Sequence, residues 1–162
     1  MLPDGDEADE WMDCQQRLRA KIAWIRSPNS AAAWRFAFQE ASLRGARLHA
    51  LHAWSMPYSF GPASQGASDP DEVLSRHRRD LEERVASLRE EYRDVEVAEE
   101  LVREAPVPAL ARASDRSDLL VVGSRGRGGF HGLALGSVCR YLLHYSACPI
   151  AVVRPRTRSA SL

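Results

Sequence analysis

Apolar positions along the chain alternate between two periods, one that suits strands and one that suits helices. Residues Leu18 to Ile25 form a short β-compatible stretch. Ser27-Pro28 then offers a helix cap followed by proline at the first helical position, and Ala33, Trp34, Ala37, Phe38 and Ala41 share one helical face before Gly45. Arg47 to Trp54 alternates, with Leu48, Ala50, His52 and Trp54 on one side, and predicts a second strand. Ser55 to Asp69 is rich in Ser, Gly, Pro and Ala, the composition of a long loop. Asp69-Pro70-Asp71-Glu72 combines a cap, a first-turn proline and a capping-box Glu. From there Val73, His77, Leu81, Val85, Leu88 and Tyr92 climb by three or four, as on a long amphipathic helix.

Val95 to Val102 predicts a third strand, and Pro106 restarts a helix through Val107, Leu110 and Ala111. Asp118 to Gly123 and Pro149 to Arg154 are continuous apolar runs, the mark of parallel strands covered by helices on both faces. Between them Val138, Tyr141, Leu142 and Tyr145 fall at helical spacing. The alternation of strand and helix predicts an α/β domain built on an open parallel sheet with right-handed crossovers. We place that domain at residues 18–155, between an acidic tail over 1–17 and a short tail over 156–162.

The 162 residues suit a single domain, and 22 basic residues balance 22 acidic ones. No global field draws the chain to nucleic acid or to an anionic membrane. Cys14, Cys139 and Cys148 lack paired spacing, and no apolar run approaches the ~20 residues that span a bilayer. The expectation is a cytoplasmic protein with no membrane or nucleic-acid partner.

Candidate chemistry concentrates after the fourth strand, in Gly123-Ser124-Arg125-Gly126-Arg127-Gly128-Gly129 and, beyond Phe130 to Leu135, in Gly136-Ser137-Val138 at the next helix start. In an open α/β sheet, ligands bind beyond the carboxyl ends of the strands. Glycines let backbone amides approach an anion, and a helix N-terminus adds free amides and a positive dipole end. With no lysine in the loop it is not a Walker motif, and His131 breaks the dinucleotide fingerprint. Arg125 and Arg127 either clamp phosphate or solubilise the loop. His49 and His52 point to opposite faces of one strand, against a shared metal site. Neither a nucleophile elbow nor a close carboxylate pair supports a dedicated enzyme. Cys139 lies in a first helical turn, which favours a thiolate, although a small buried filler is the commoner role. Trp34 and Phe38 read as core, with Phe36 further round the helix.

Gly123, two residues, Gly126, nine residues, then Gly136-Ser137 resembles the nucleotide-binding signature of universal stress proteins, and Cys148 to Val153 resembles their last strand. The similarity extends back through Ser27 to Ser30, the first helix and Gly45 to Leu48. It implies a five-stranded parallel sheet of the adenine-nucleotide α-hydrolase-like, Rossmann-like kind. It implies also a stress-response signalling module that binds ATP or another adenine nucleotide, with at most slow ATP hydrolysis, and a homodimer through Ile150 to Val153. Under that resemblance Gly123 to Gly129 wrap phosphates and ribose, while Gly136, Ser137 and Val138 hold phosphates at the helix start. One departure stands out. Nucleotide-binding members end the first strand in Asp, Gly, Ser, whereas Ile25-Arg26-Ser27 stands here. The missing carboxylate predicts altered or weakened ATP binding with reduced metal dependence. The alternative is a dimerisation and interaction protein whose pocket is altered by Ile25 and Arg26.

Overall fold

The structure is a computed structural model that describes residues 19–24, 31–55, 69–124 and 135–154. The two tails, the Ser27-Pro28 helix start and most of the Ser55 to Asp69 loop lie outside those residues. Strands β1 (Arg19–Trp24), β2 (Arg47–Trp54), β3 (Val97–Arg103), β4 (Leu119–Gly123) and β5 (Ile150–Val153) alternate with helices α1 (Ala31–Arg44), α2 (Pro70–Arg89), α3 (Pro106–Ser114) and α4 (Ser137–Tyr145). All pairings are parallel, in the order β3-β2-β1-β4-β5.

That order explains where the helices go. The chain steps outward from β1 to β3, then returns to the other side of β1 for β4 and β5. With one handedness of crossover, the reversal moves the helices to the opposite face of the sheet. One core cluster accordingly joins α1 and α2 residues to Leu48, Ala50 and Val121, and the other joins α3 and α4 residues to Leu51, Leu120 and Val122. Adjacent residues of β4 thus serve opposite cores, and β4 is apolar throughout because helices cover both of its faces, while β2 is buried on both faces from Ala50 onward rather than on one side only.

The helices are stopped by local chemistry. At the end of α1, Gly45 takes φ +58° and Ala46 N–H donates to Ala41 O at 2.9 Å, a left-handed C-terminal cap. At the start of α2, the Asp69 carboxylate accepts from Asp71 N–H at 3.0 Å, and Pro70 occupies the first turn. The Asp69 carboxylate thus takes the amide two residues on rather than the Glu72 N–H of a capping box, and Glu72 pairs along the helix with Arg76. Three further expectations shift. The third strand begins at Val97 rather than Val95, and α2 ends before Tyr92, which packs on Phe38 from the following turn. On α3 the buried residues are Ala109, Leu110, Ala113 and Ser114, leaving Val107 and Ala111 partly covered. Phe36 is half-buried against the α1 cluster.

Candidate functional site

In this strand order the reversal point lies between β1 and β4, and the crevice beyond their carboxyl ends is where an open α/β sheet accommodates a ligand. Two of its boundaries are described, the end of β4 and the start of α4. Ser124 is held on both sides: its N–H donates to Val153 O of β5 at 2.8 Å, and its C=O accepts from Gly136 N–H at 2.8 Å. The residue is buried. The second bond sets Gly136, at the start of α4, beside the end of β4.

Gly136 is extended, with φ −69° and ψ 162°, and acts as the N-cap of α4 without a side-chain capping bond. Its carbonyl accepts from Arg140 N–H at 3.0 Å, the first bond of the helix. The amides of Ser137, Val138 and Cys139 precede that bond and form the donor set of the helix start. Ser137 is exposed, with Val138 and Gly123 partly buried. Five of the expected residues, Gly123, Ser124, Gly136, Ser137 and Val138, are therefore gathered at one end of the sheet. Arg125, Gly126, Arg127, Gly128 and Gly129, and likewise Ile25, Arg26 and Ser27, lie outside the described residues.

Two features near the site were not legible as such. Cys139 is buried, and its thiol donates to the Gly123 carbonyl at 2.9 Å. Burial pushes its pKa up, which overrides the helix-start stabilisation of a thiolate and leaves a protonated donor. At the carboxyl ends of β2 and β3, the Arg103 guanidinium lies 5.6 Å from the Trp54 ring, Trp54 lies 5.2 Å from His77, and His77 lies 4.7 Å from His52. This row spans three elements, so no local spacing announces it. Among the described residues no group of three or more His, Cys, Asp or Glu is placed to hold a metal ion. No described helix is long and apolar enough to cross a membrane.

The family model described as the Universal stress protein family matches residues 23–154. The chain belongs to the universal stress protein family. A universal stress protein of Mycolicibacterium smegmatis is 40% identical over 140 residues, covering 86% of this chain and 47% of that protein. The chain thus spans about half the length of the curated relatives it matches. Among solved structures it is similar in fold to the universal stress protein UspA from Lactobacillus plantarum, with TM-score 0.70, 20% identity, and coverage of 86% of this chain and 99% of that one. It is also similar to a universal stress protein in complex with cAMP, with TM-score 0.60, 24% identity, and coverage of 87% and 99%. These universal stress folds share its layering of helices on parallel strands.

Proposed function

We propose that this universal stress domain is an adenine-nucleotide-binding signalling module of the stress response. The observation that carries the reading is the bond from Gly136 N–H to Ser124 O at 2.8 Å, which sets the start of α4 beside the end of β4. A helix start offering uncapped amides beside a strand end at the reversal point suits phosphate. The similar fold in complex with cAMP supports an adenine nucleotide as the ligand class. In this reading Ser137 and Val138 amides and the Ser137 hydroxyl hold the phosphate, and the loop residues Arg125 to Gly129 enclose it. Binding is altered or weakened, with reduced dependence on Mg²⁺, because Ile25-Arg26 replaces the acidic first-strand ending.

Calorimetry with ATP, AMP and cyclic AMP, with and without Mg²⁺, tests this. Saturable binding of one of them, reduced roughly tenfold by Ser137→Ala as for a hydrogen bond to a charged group, is the expected result. Absence of saturable binding at millimolar concentrations of all three would overturn it. The rival reading, an interaction protein with an altered pocket, draws on the same Ile25-Arg26 substitution. It predicts that only a variant with the acidic ending restored binds nucleotide.

The proposed partner is a second copy, joined through β5. Ile150 to Val153 carry no charge, whereas the opposite edge strand β3 exposes Glu99, Glu100 and Arg103. Exposed Tyr141, Leu143 and Tyr145 on the neighbouring α4 add apolar surface at that end of the sheet.

A further inference from the structure

The carbonyl of Gly123 occupies a special place in the sheet. Along a strand, successive residues direct their backbone groups to opposite neighbours. Leu120 and Ser124 send their N–H groups to Pro149 and Val153, so even-numbered residues of β4 face β5 and Gly123 faces the side of β1. The β1–β4 register ends at Ile22 and Val121. Gly123 therefore lies two residues past the last registered pair on that side, at the end of the β1–β4 ladder where the crevice begins. Its carbonyl meets the Cys139 thiol at 2.9 Å.

Packing alone does not call for this contact. Cys139 is enclosed by an apolar cluster that includes Leu51, Leu110, Leu120, Val122 and Leu142, whose side chains offer its thiol no polar partner. The residue stands in the same helical turn as the Ser137 and Val138 amides, so whatever orients Cys139 orients them. We propose that Cys139 is a positioning residue of the anion receptor: its thiol, donating to the Gly123 carbonyl, ties the first turn of α4 to the open end of β4 and fixes where the Ser137 and Val138 amides point. This role rests on the nucleotide-binding reading for its ligand, but its geometry is a property of the free protein. Burial keeps the thiol protonated at neutral pH, as a donor must be.

The test compares the full wild-type chain with Cys139→Ser and Cys139→Ala. Serine keeps a donor, whereas alanine removes it; a hydroxyl without a partner in this apolar cluster would cost more than alanine. In the free wild-type protein, the Raman S–H stretch is expected at the frequency of a hydrogen-bonded thiol. In Cys139→Ala, the residual dipolar couplings of the Ser137 and Val138 amides are expected to change while those of β2 and β4 hold, and AMP affinity falls about fivefold, the scale of one net hydrogen bond. Cys139→Ser is expected to restore both the couplings and the affinity. An S–H stretch typical of an unbonded thiol, or unchanged couplings in Cys139→Ala, overturns the proposal. So does a serine variant that departs further from wild type than alanine does. If wild-type protein binds no AMP, the nucleotide reading fails by itself, and the stretch and couplings still decide whether the tie exists.

Discussion

Ser114 illustrates how one hydroxyl joins segments that no local pattern connects. It is 1% exposed, bonds back to the Ala111 carbonyl within α3, and accepts from Ala147 N–H at 2.9 Å in the turn that leads into β5. A hydroxyl donates and accepts at once, so the residue both closes its own helix and holds the next connection. Ser114→Ala is expected to lower unfolding free energy by about 1 kcal/mol, measured by urea denaturation, because Ala147 N–H loses its acceptor. Gly45 makes a contrasting case. A Cβ built there meets nothing within 4 Å, so the cost of Gly45→Ala is that of an L-residue at φ +58° alone, about 1 kcal/mol. Gly45→Asn should cost less, because asparagine tolerates that region. The glycine stop was legible in the sequence since left-handed freedom belongs to the residue itself. The bond from Ala147 to Ser114 was not, since its two ends are 33 residues apart.

Elements show the same division between what periodicity carries and what it leaves open. On α1 the stripe Ala33, Trp34, Ala37, Phe38 and Ala41 is buried as its spacing implies. Phe38 is fully enclosed and lies 6.4 Å from Trp34, so Phe38→Ala is expected to cost about 3–5 kcal/mol in the same denaturation measurement. On α4 the spacing of Val138, Tyr141, Leu142 and Tyr145 predicted a helix, and the helix forms, but the residues it buries are Cys139 and Leu142. Tyr141 and Tyr145 stack on each other outside, with centroids 4.2 Å apart. A nine-residue helix beside a four-residue edge strand has a narrow seam to fill, and period alone does not say which of two adjacent rows fills it. The site followed the same logic: strand end, helix start and glycine cap were readable because each is a local signal. The Cys139 thiol was not, because its partner is a carbonyl whose direction depends on sheet order. Between β3 and α3, Arg112 donates to Glu104 at 3.0 Å and holds that carboxyl below its ordinary pKa. A depressed folded-state pKa contributes stability above the unfolded-state value and loses it as pH falls through the folded one. The Tm difference between wild type and Glu104→Gln should therefore be small at neutral pH, since the pair is exposed, and vanish on acidification. A difference that grows toward acid would contradict the pairing.

At the scale of the whole molecule, the sheet has two edges of unlike character, and that asymmetry directs the proposed association. On β3 the outward side is occupied at Val97, where Arg89 donates to Val97 O at 3.0 Å and pairs with Glu99. On β5 the carbonyls of Pro149 and Val153 accept from β4, so odd-numbered residues face inward and the backbone of Ile150 and Val152 faces the open edge. A two-fold axis beside that edge would set two β5 strands antiparallel, each Val152 N–H reaching a carbonyl of the other copy and each continuing the other's sheet. Proline at position 152 removes the outward donor and leaves the inward ladder untouched, a substitution that edge strands accommodate. Wild-type protein is expected to sediment as a dimer at micromolar concentration. Val152→Pro should sediment as a monomer with an unchanged far-ultraviolet circular dichroism spectrum. A wild-type monomer at tens of micromolar would rule out the β5 pairing, and a dimer that survives Val152→Pro would move the interface from the strand edge to the exposed side chains of α4.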